Sequence, residues 1–414
     1  MSSSFARIIS SLCIAAALLA GCAQQSTPNV SVPPAMPVRQ TSGELRARAS
    51  QRIQNIIVVV QQHRSFDNLF AGYPGAEAPT FGLDHTGKHV PLKVISLKTI
   101  PSCAGSLYDS AFVTAYNHGK MNGWDLIDPD DPNCPYTRVN RQEIAPYWDL
   151  AKQYALGDHL FASTKFGSFA DSLYLVAGTT KLQPNTYAVG PPSTNVWGCD
   201  APQGTTTPIL KNGKLIVDGP FPCFTQFPTI ADLLDKAGVG WNTYVDRSSL
   251  PLPFNPFDSV KAVREGPDWK TDISSPASNV LSDLDGGTLR PVSFVLSPAA
   301  DSDFPGFGGG PKFVQSIVQH AQKSRYWQHL AIVVVWDDFG DGQFYDNVPP
   351  AFLDTMGLGL RVPLLVVSPQ VKPGFISHTP YEYGSILKFI ETNWDLGTLG
   401  STDERATSIG DMFE

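Results

Sequence analysis

The sequence predicts an α/β protein with a doubly wound, mostly parallel central sheet, helices on its faces and long disulfide-stapled loop insertions. Three observations lead there. Four apolar, β-rich runs are continuous rather than alternating, as in strands covered on both faces: Ile56–Val60, Val292–Leu296, Ala331–Trp336 and Leu364–Val367. Helical patterns interleave with them at Thr229–Ala237, Phe313–Gln322 and Tyr383–Trp394. The stretches from about 72 to 140 and from 180 to 225 lack either period, and each holds two cysteines.

Taken in order, the chain opens on a targeting segment. Arg7 gives a weakly positive start, and Ile8–Leu19 is an apolar run too short to span a bilayer as a mature helix. Leu19-Ala20-Gly21-Cys22 has the small residues before cysteine of a bacterial lipobox, so residues 1–21 read as a lipoprotein signal and Cys22 as the lipidated residue. A polar Ser/Pro/Gln tether follows over 22–48, and 49–414 reads as one domain. Ala23, where an inner-membrane retention signal carries Asp, favours the outer membrane of a bacterial envelope.

Of six cysteines, setting aside Cys13 and Cys22 leaves Cys103, Cys134, Cys199 and Cys223. An even count in an exported chain reads as two disulfides. Neighbour pairing, Cys103–Cys134 and Cys199–Cys223, is the simplest of three connectivities. A four-cysteine zinc site has no CxxC spacing to support it.

The first strand-like run stops abruptly in Gln61-Gln62-His63-Arg64-Ser65. In open α/β sheets ligands bind beyond the carboxyl ends of strands, so Gln62, His63 and Arg64 stand where a site would be. Asp337 and Asp338 stand in the same relation to "AIVVVW". Two adjacent carboxylates at a strand end are costly without a cation, unless they form a solvated turn. Ser168, in "KFGSFADSLYLVAG", falls near a helix N-terminus, where free N–H groups favour phosphate; the alternative is a plain N-cap. Arg64 either binds phosphate as a bidentate donor or anchors the next loop through Asp67. No GxSxG elbow is present. A net charge of −8 without a long basic block argues against a nucleic-acid partner. Gly and Pro, 35 each, fit ordered loops on a rigid frame.

These segments together resemble one family over nearly the whole mature chain: the phosphoesterases that include bacterial phospholipase C and related acid phosphatases, of the alkaline phosphatase superfamily. "IIVVVQQHRSFDNLF" is similar to the family's opening strand and E-N-R-S-F-D signature. "EIAPYWDLAKQYALGDHLFAS" and "SFADSLYLVAG" resemble the approach to its nucleophile, and "VVWDDFGDGQFYDNVPP", "RVPLLVVSP" and "ISHTPYEYGSILKFIE" its C-terminal blocks. The resemblance implies an alkaline phosphatase-like fold. It also implies a metal-dependent phosphoric ester hydrolase in which a metal-bound hydroxyl attacks phosphorus and a phospho-enzyme forms. Carried over by motif, Ser168 is the nucleophile, His378 is a retained catalytic position, and Gln62, His63, Asp337 and Asp338 hold a divalent metal. The resemblance implies a phosphate-ester substrate, either a phospholipid or a small phosphoester, and the lipid anchor implies a membrane partner.

The chain departs from that pattern at polar positions. Gln62 replaces Glu and His63 replaces Asn, a change toward nitrogen that favours zinc or iron over calcium. Phe304, Asn347 and Tyr383 stand where the family has His, and Asp171-Ser172 replaces Asn-Arg or Ala-His. Two functions are therefore expected: an active phosphoesterase with an altered site, or an impaired relative that binds a ligand as a surface lipoprotein. "FPGFGGG" at 304–310 reads as a loop over the site, and His85, His89 and His118 have no evident partners.

Overall fold

The computed structural model describes residues 53–103, 109–246 and 254–414. The signal, Cys22 and the tether lie outside the described residues. Eight strands form the main sheet: β1 (Asn55–Gln61), β2 (Ala155–Gly157), β3 (Trp241–Tyr244), β4 (Ile273–Ser274), β5 (Val292–Leu296), β6 (Leu330–Trp336), β7 (Leu364–Val367) and β8 (Phe375–Ser377). They are ordered β4-β3-β5-β1-β6-β7-β2-β8. β1 sits between β5 and β6, parallel to both, with Val58 opposite Phe294 on one side and Val333 on the other. All of its residues are buried, which suits a β-branched run covered on both faces.

Only β7 runs against the rest, pairing antiparallel with both β6 and β2. The carboxyl ends of the other seven strands therefore share one edge. Arg361, just before β7, arrives at that same edge. The four longest expected strands are all present. β2, β3, β4 and β8 have two to four residues and, unlike the four-residue β7, contain no run of four apolar residues to mark them in the sequence.

The helices follow their local signals. α1 (Ala145–Gln153) and α2 (Ser168–Ala177) precede α3 (Ile230–Ala237), which starts in a capping box between Thr229 and Asp232 and ends at Gly238 in the left-handed region, φ +67°. α4 (Asn279–Gly286) precedes α5 (Gly310–Lys323), which begins earlier than its apolar period because Pro311 lies in its first turn. α6 is Tyr383–Trp394. No helix among the described residues is long and apolar enough to cross a membrane.

The insertions are structured. The first holds a hairpin, Phe81–Leu83 with His89–Pro91, and a helix, Ser110–Tyr116, in which His85 pairs with Asp125 at 2.5 Å. In the second, four short strands between Lys181 and Ile216 form an antiparallel sheet. Disulfides close them at Cys103–Cys134 and Cys199–Cys223, with sequence separations of 31 and 24.

Candidate active site

β1 and β6 deliver the central residues. The ladder runs one residue past the strands, with the Asp337 N–H donating to the Gln61 carbonyl at 2.9 Å. The chain then turns at His63, whose φ of +65° lies in the left-handed region. The turn lays the imidazole against the carboxylate after β6. Nδ1 of His63 is 3.0 Å from Oδ1 and 3.1 Å from Oδ2 of Asp338. The His63 backbone N–H donates to Asp337 at 3.2 Å, and the Gly340 N–H donates to Asp338 at 2.7 Å.

Ser168 reaches the same carboxylate from α2. Gly167, at φ +87°, takes the N-cap position, so the Ser168 side chain caps nothing. Its hydroxyl donates to Oδ2 of Asp338. Ser168 and His63 thus meet on one buried carboxylate, at the wall of a cleft of roughly 470 Å³. Phe166, Phe169, Trp197 and Phe304 make that cleft largely apolar, and Asp341 lines it beside Gly167. Among the described residues that line it, His63 is the one basic side chain.

The electrostatics follow from burial. Burial alone would lower His63, but the charge and hydrogen bond of Asp338, helped by Asp341 and Asp337, lift it to about 9. Burial opposes ionisation of Asp338, yet His63 and the Ser168 hydroxyl hold its carboxyl below the usual range. Asp337 is pushed well up by burial and by the charge of Asp338. Asp341 rises to about 6, mainly through burial. The corner is an imidazolium–carboxylate pair with a serine hydroxyl on the carboxylate.

Other expected site residues lie elsewhere. The Gln62 amide turns inward and donates to the Ser297 carbonyl at 3.0 Å; its Oε1 has no partner. With Asp337 and Ser172 it lines a separate small interior cavity. Arg64, expected to bind substrate, is instead committed to structure: fully buried, it donates to the carbonyls of Asp303 at 2.8 Å and Leu97 at 2.7 Å and to Asn68 at 3.2 Å. Nor does it hold Asp67, which pairs with Arg361 at 3.1 Å. His378 is not at this corner. It pairs with Asp158 at 2.9 Å beyond β2, two strands from β6, roughly 10 Å at ordinary strand spacing.

The altered positions are mostly committed to structure. Phe304 packs on the His63 ring with centroids 5.0 Å apart. Asn347 accepts from Arg361 at 2.7 Å, and the Tyr383 hydroxyl donates to the carbonyls of Trp336 and Asp337 at 2.8 and 2.9 Å. Asp171 accepts the Thr164 N–H at 2.8 Å and is pushed well up by burial and Asp338. Sequence reasoning missed Arg361, buried between Asp346 at 2.8 Å and Asp67, and it missed Asp158 and His159. Asp158 and His159 follow the three-residue β2, so strand-end logic would have found them had that strand been visible; Arg361 precedes β7, at the strand's amino end, where that logic does not look.

The profile of the Phosphoesterase family matches residues 53–397. The chain belongs to the Phosphoesterase family. Its relatives include the non-hemolytic phospholipase C of Pseudomonas aeruginosa, 22% identical over 91% of this chain and 58% of that protein. Phospholipase C A of Mycobacterium tuberculosis is 21% identical over 87% of this chain and 76% of its own. Non-specific phospholipase C1 of Arabidopsis thaliana is 26% identical over 79% and 63%. The chain thus spans about three fifths of the Pseudomonas relative. Among solved structures, a protein of the alkaline phosphatase superfamily from Vibrio parahaemolyticus is similar at 11% identity and a TM-score of 0.39, over 87% of this chain and 72% of that one.

Membership in the phosphoesterases raises the question of a metal at the Ser168 corner. Of the four carried-over ligands, His63 and Asp338 meet there. Gln62 and Asp337 line the interior cavity. Among the described residues, the set of three His, Cys, Asp or Glu side chains with ligand atoms within 4.8 Å of one another is Asp158, His159 and His378. With Gln62 and Asp337 on the interior cavity, the donor set at Ser168 does not fit the implied ion.

Proposed function

We propose that this chain hydrolyses phosphoric esters, with Ser168 as nucleophile and His63 and Asp338 as its proton-handling partners. The observation that supports this most is the meeting of the Ser168 hydroxyl and the His63 imidazole on the Asp338 carboxylate at the cleft wall. Ser168 Oγ attacks phosphorus and its proton passes to Asp338. The P–O bond to the leaving group breaks, and His63 gives its proton to the departing oxygen. Water then attacks the phosphoserine, returning a proton to His63 while Asp338 restores the proton of Ser168. His63 places one positive charge beside the phosphoryl group, in a site sheltered from solvent. The apolar cleft walls favour esters with an apolar leaving group, and phospholipids fit that description. Cys22 lipidation would bring the domain to such a surface.

A binding-only surface lipoprotein is the second reading, favoured by the structural commitment of Phe304, Asn347 and Tyr383. Hydrolysis of p-nitrophenyl phosphate and p-nitrophenyl phosphorylcholine decides between them, with metal content measured on the same samples. Turnover that disappears in Ser168→Ala supports the hydrolase. An inert wild type that still binds these esters supports the second reading.

A further inference from the structure

We propose that Asp158, His159 and His378 form a second site that takes a divalent transition metal of the zinc class, distinct from the Ser168 corner. β2 and β8 are parallel, with Gly157 opposite Ser377, so Asp158 and His378 are the first residues past two adjacent strand ends. The Asp158 N–H donates to the Ser377 carbonyl at 3.1 Å and fixes that register. Two imidazoles then converge on one carboxylate oxygen. Oδ1 of Asp158 lies 2.7 Å from Nδ1 of His159 and 2.9 Å from Nδ1 of His378. The rings are perpendicular, with centroids 5.9 Å apart, so both nitrogens face the carboxylate without stacking.

The surroundings hold these donors in place. The Glu77 N–H donates to the other oxygen of Asp158 at 2.9 Å. Arg361 donates to the Asp158 carbonyl at 2.8 Å, its charge offset by Asp67 and Asp346. The Glu77 carboxylate stands 3.4 Å from Nε2 of His159, the outer partner that fixes a ligating ring. Burial opposes ionisation of Asp158, but the bonds from His159, the Glu77 N–H and His378 keep its carboxyl below the usual range.

Three protein ligands with one open side is the arrangement of an accessible zinc site, and His378, 59% exposed, provides that side. Two nitrogens and one oxygen select zinc, cobalt or nickel over calcium or magnesium.

The test is a titration of chelator-treated full-length protein with Co²⁺ and then Zn²⁺. Wild type is expected to take one Co²⁺ with the visible absorption of a four-coordinate ion, and to lose that band as Zn²⁺ displaces it. His378→Ala, at an exposed position that leaves the fold intact, and His159→Ala should abolish the band. Glu77→Gln should weaken Zn²⁺ by about 10–100-fold. Ser168→Ala should retain it in full, which separates this site from the catalytic reading. No Co²⁺ uptake by wild type overturns the assignment, as does equal uptake by His378→Ala, or loss in Ser168→Ala with retention in His378→Ala.

Discussion

At the residue scale, His63 puts a cation beside two adjacent buried carboxylates, Asp337 and Asp338. Its folded pKa of about 9 lies above the ordinary 6.5. Its contribution to stability is therefore fully present below about 6.5 and is lost as pH rises through about 9. Asp338 is depressed below 3.8, so its share is present above that value and is lost as pH falls through its folded value. The pair thus stabilises the fold between the acid range and about pH 9. Activity should follow on the basic side, because the leaving group needs the His63 proton. In His63→Asn, turnover near pH 7 should drop about 10²-fold or more, the size of a general-acid contribution. The basic limb near pH 9 should vanish with it. Asn tolerates the left-handed backbone at this position, so the variant is expected to fold. An unchanged pH–rate profile would remove His63 from the mechanism.

At the element scale, the turn into α2 sets Ser168. Gly167 is held at φ +87°, and an added Cβ would come within 2.8 Å of Oδ1 of Asp341. Gly167→Ala should cost about 1–2 kcal/mol in backbone strain and displace Ser168 by enough to lower turnover about 10²-fold. Thermal melting and initial rates check both effects; a variant with wild-type values in each would show that the turn is permissive. Several elements were legible in the sequence. The continuous apolar runs of β1, β5, β6 and β7 are seen because burial on both faces leaves a composition signal. The helical period over Thr229–Ala237 is seen in α3, and the even cysteine count gave two bridges, with neighbour pairing as the simplest of three connectivities. What stayed hidden had physical reasons. A three-residue strand has no period, so β2 and the Asp158–His159 pair beyond it were missed. The reversed direction of β7 leaves no trace in its composition. The inward turn of the Gln62 amide and the burial of Arg64 are choices of side-chain packing, set by Ser297, Leu97 and Asp303 from distant parts of the chain.

At the scale of the whole molecule, one strand edge carries two chemically different corners: Ser168–Asp338–His63 beyond β1 and β6, and Asp158–His159–His378 beyond β2 and β8. Buried Arg361 ties the second to the Asp67–Asp346 pair behind the first. For the chain as a whole, we propose lipidation at Cys22 from its lipobox. Cys22→Ser should move the protein from the membrane fraction to the soluble one; unchanged fractionation would reject lipidation. The central claim is that Ser168 becomes covalently phosphorylated during turnover. The direct measurement is an acid quench of the reaction with p-nitrophenyl phosphate, followed by mass spectrometry of the peptide spanning Ser168. The account predicts phosphate on Ser168 in wild type and none anywhere in Ser168→Ala. Turnover with no phosphoserine, or phosphate on another residue, would contradict it.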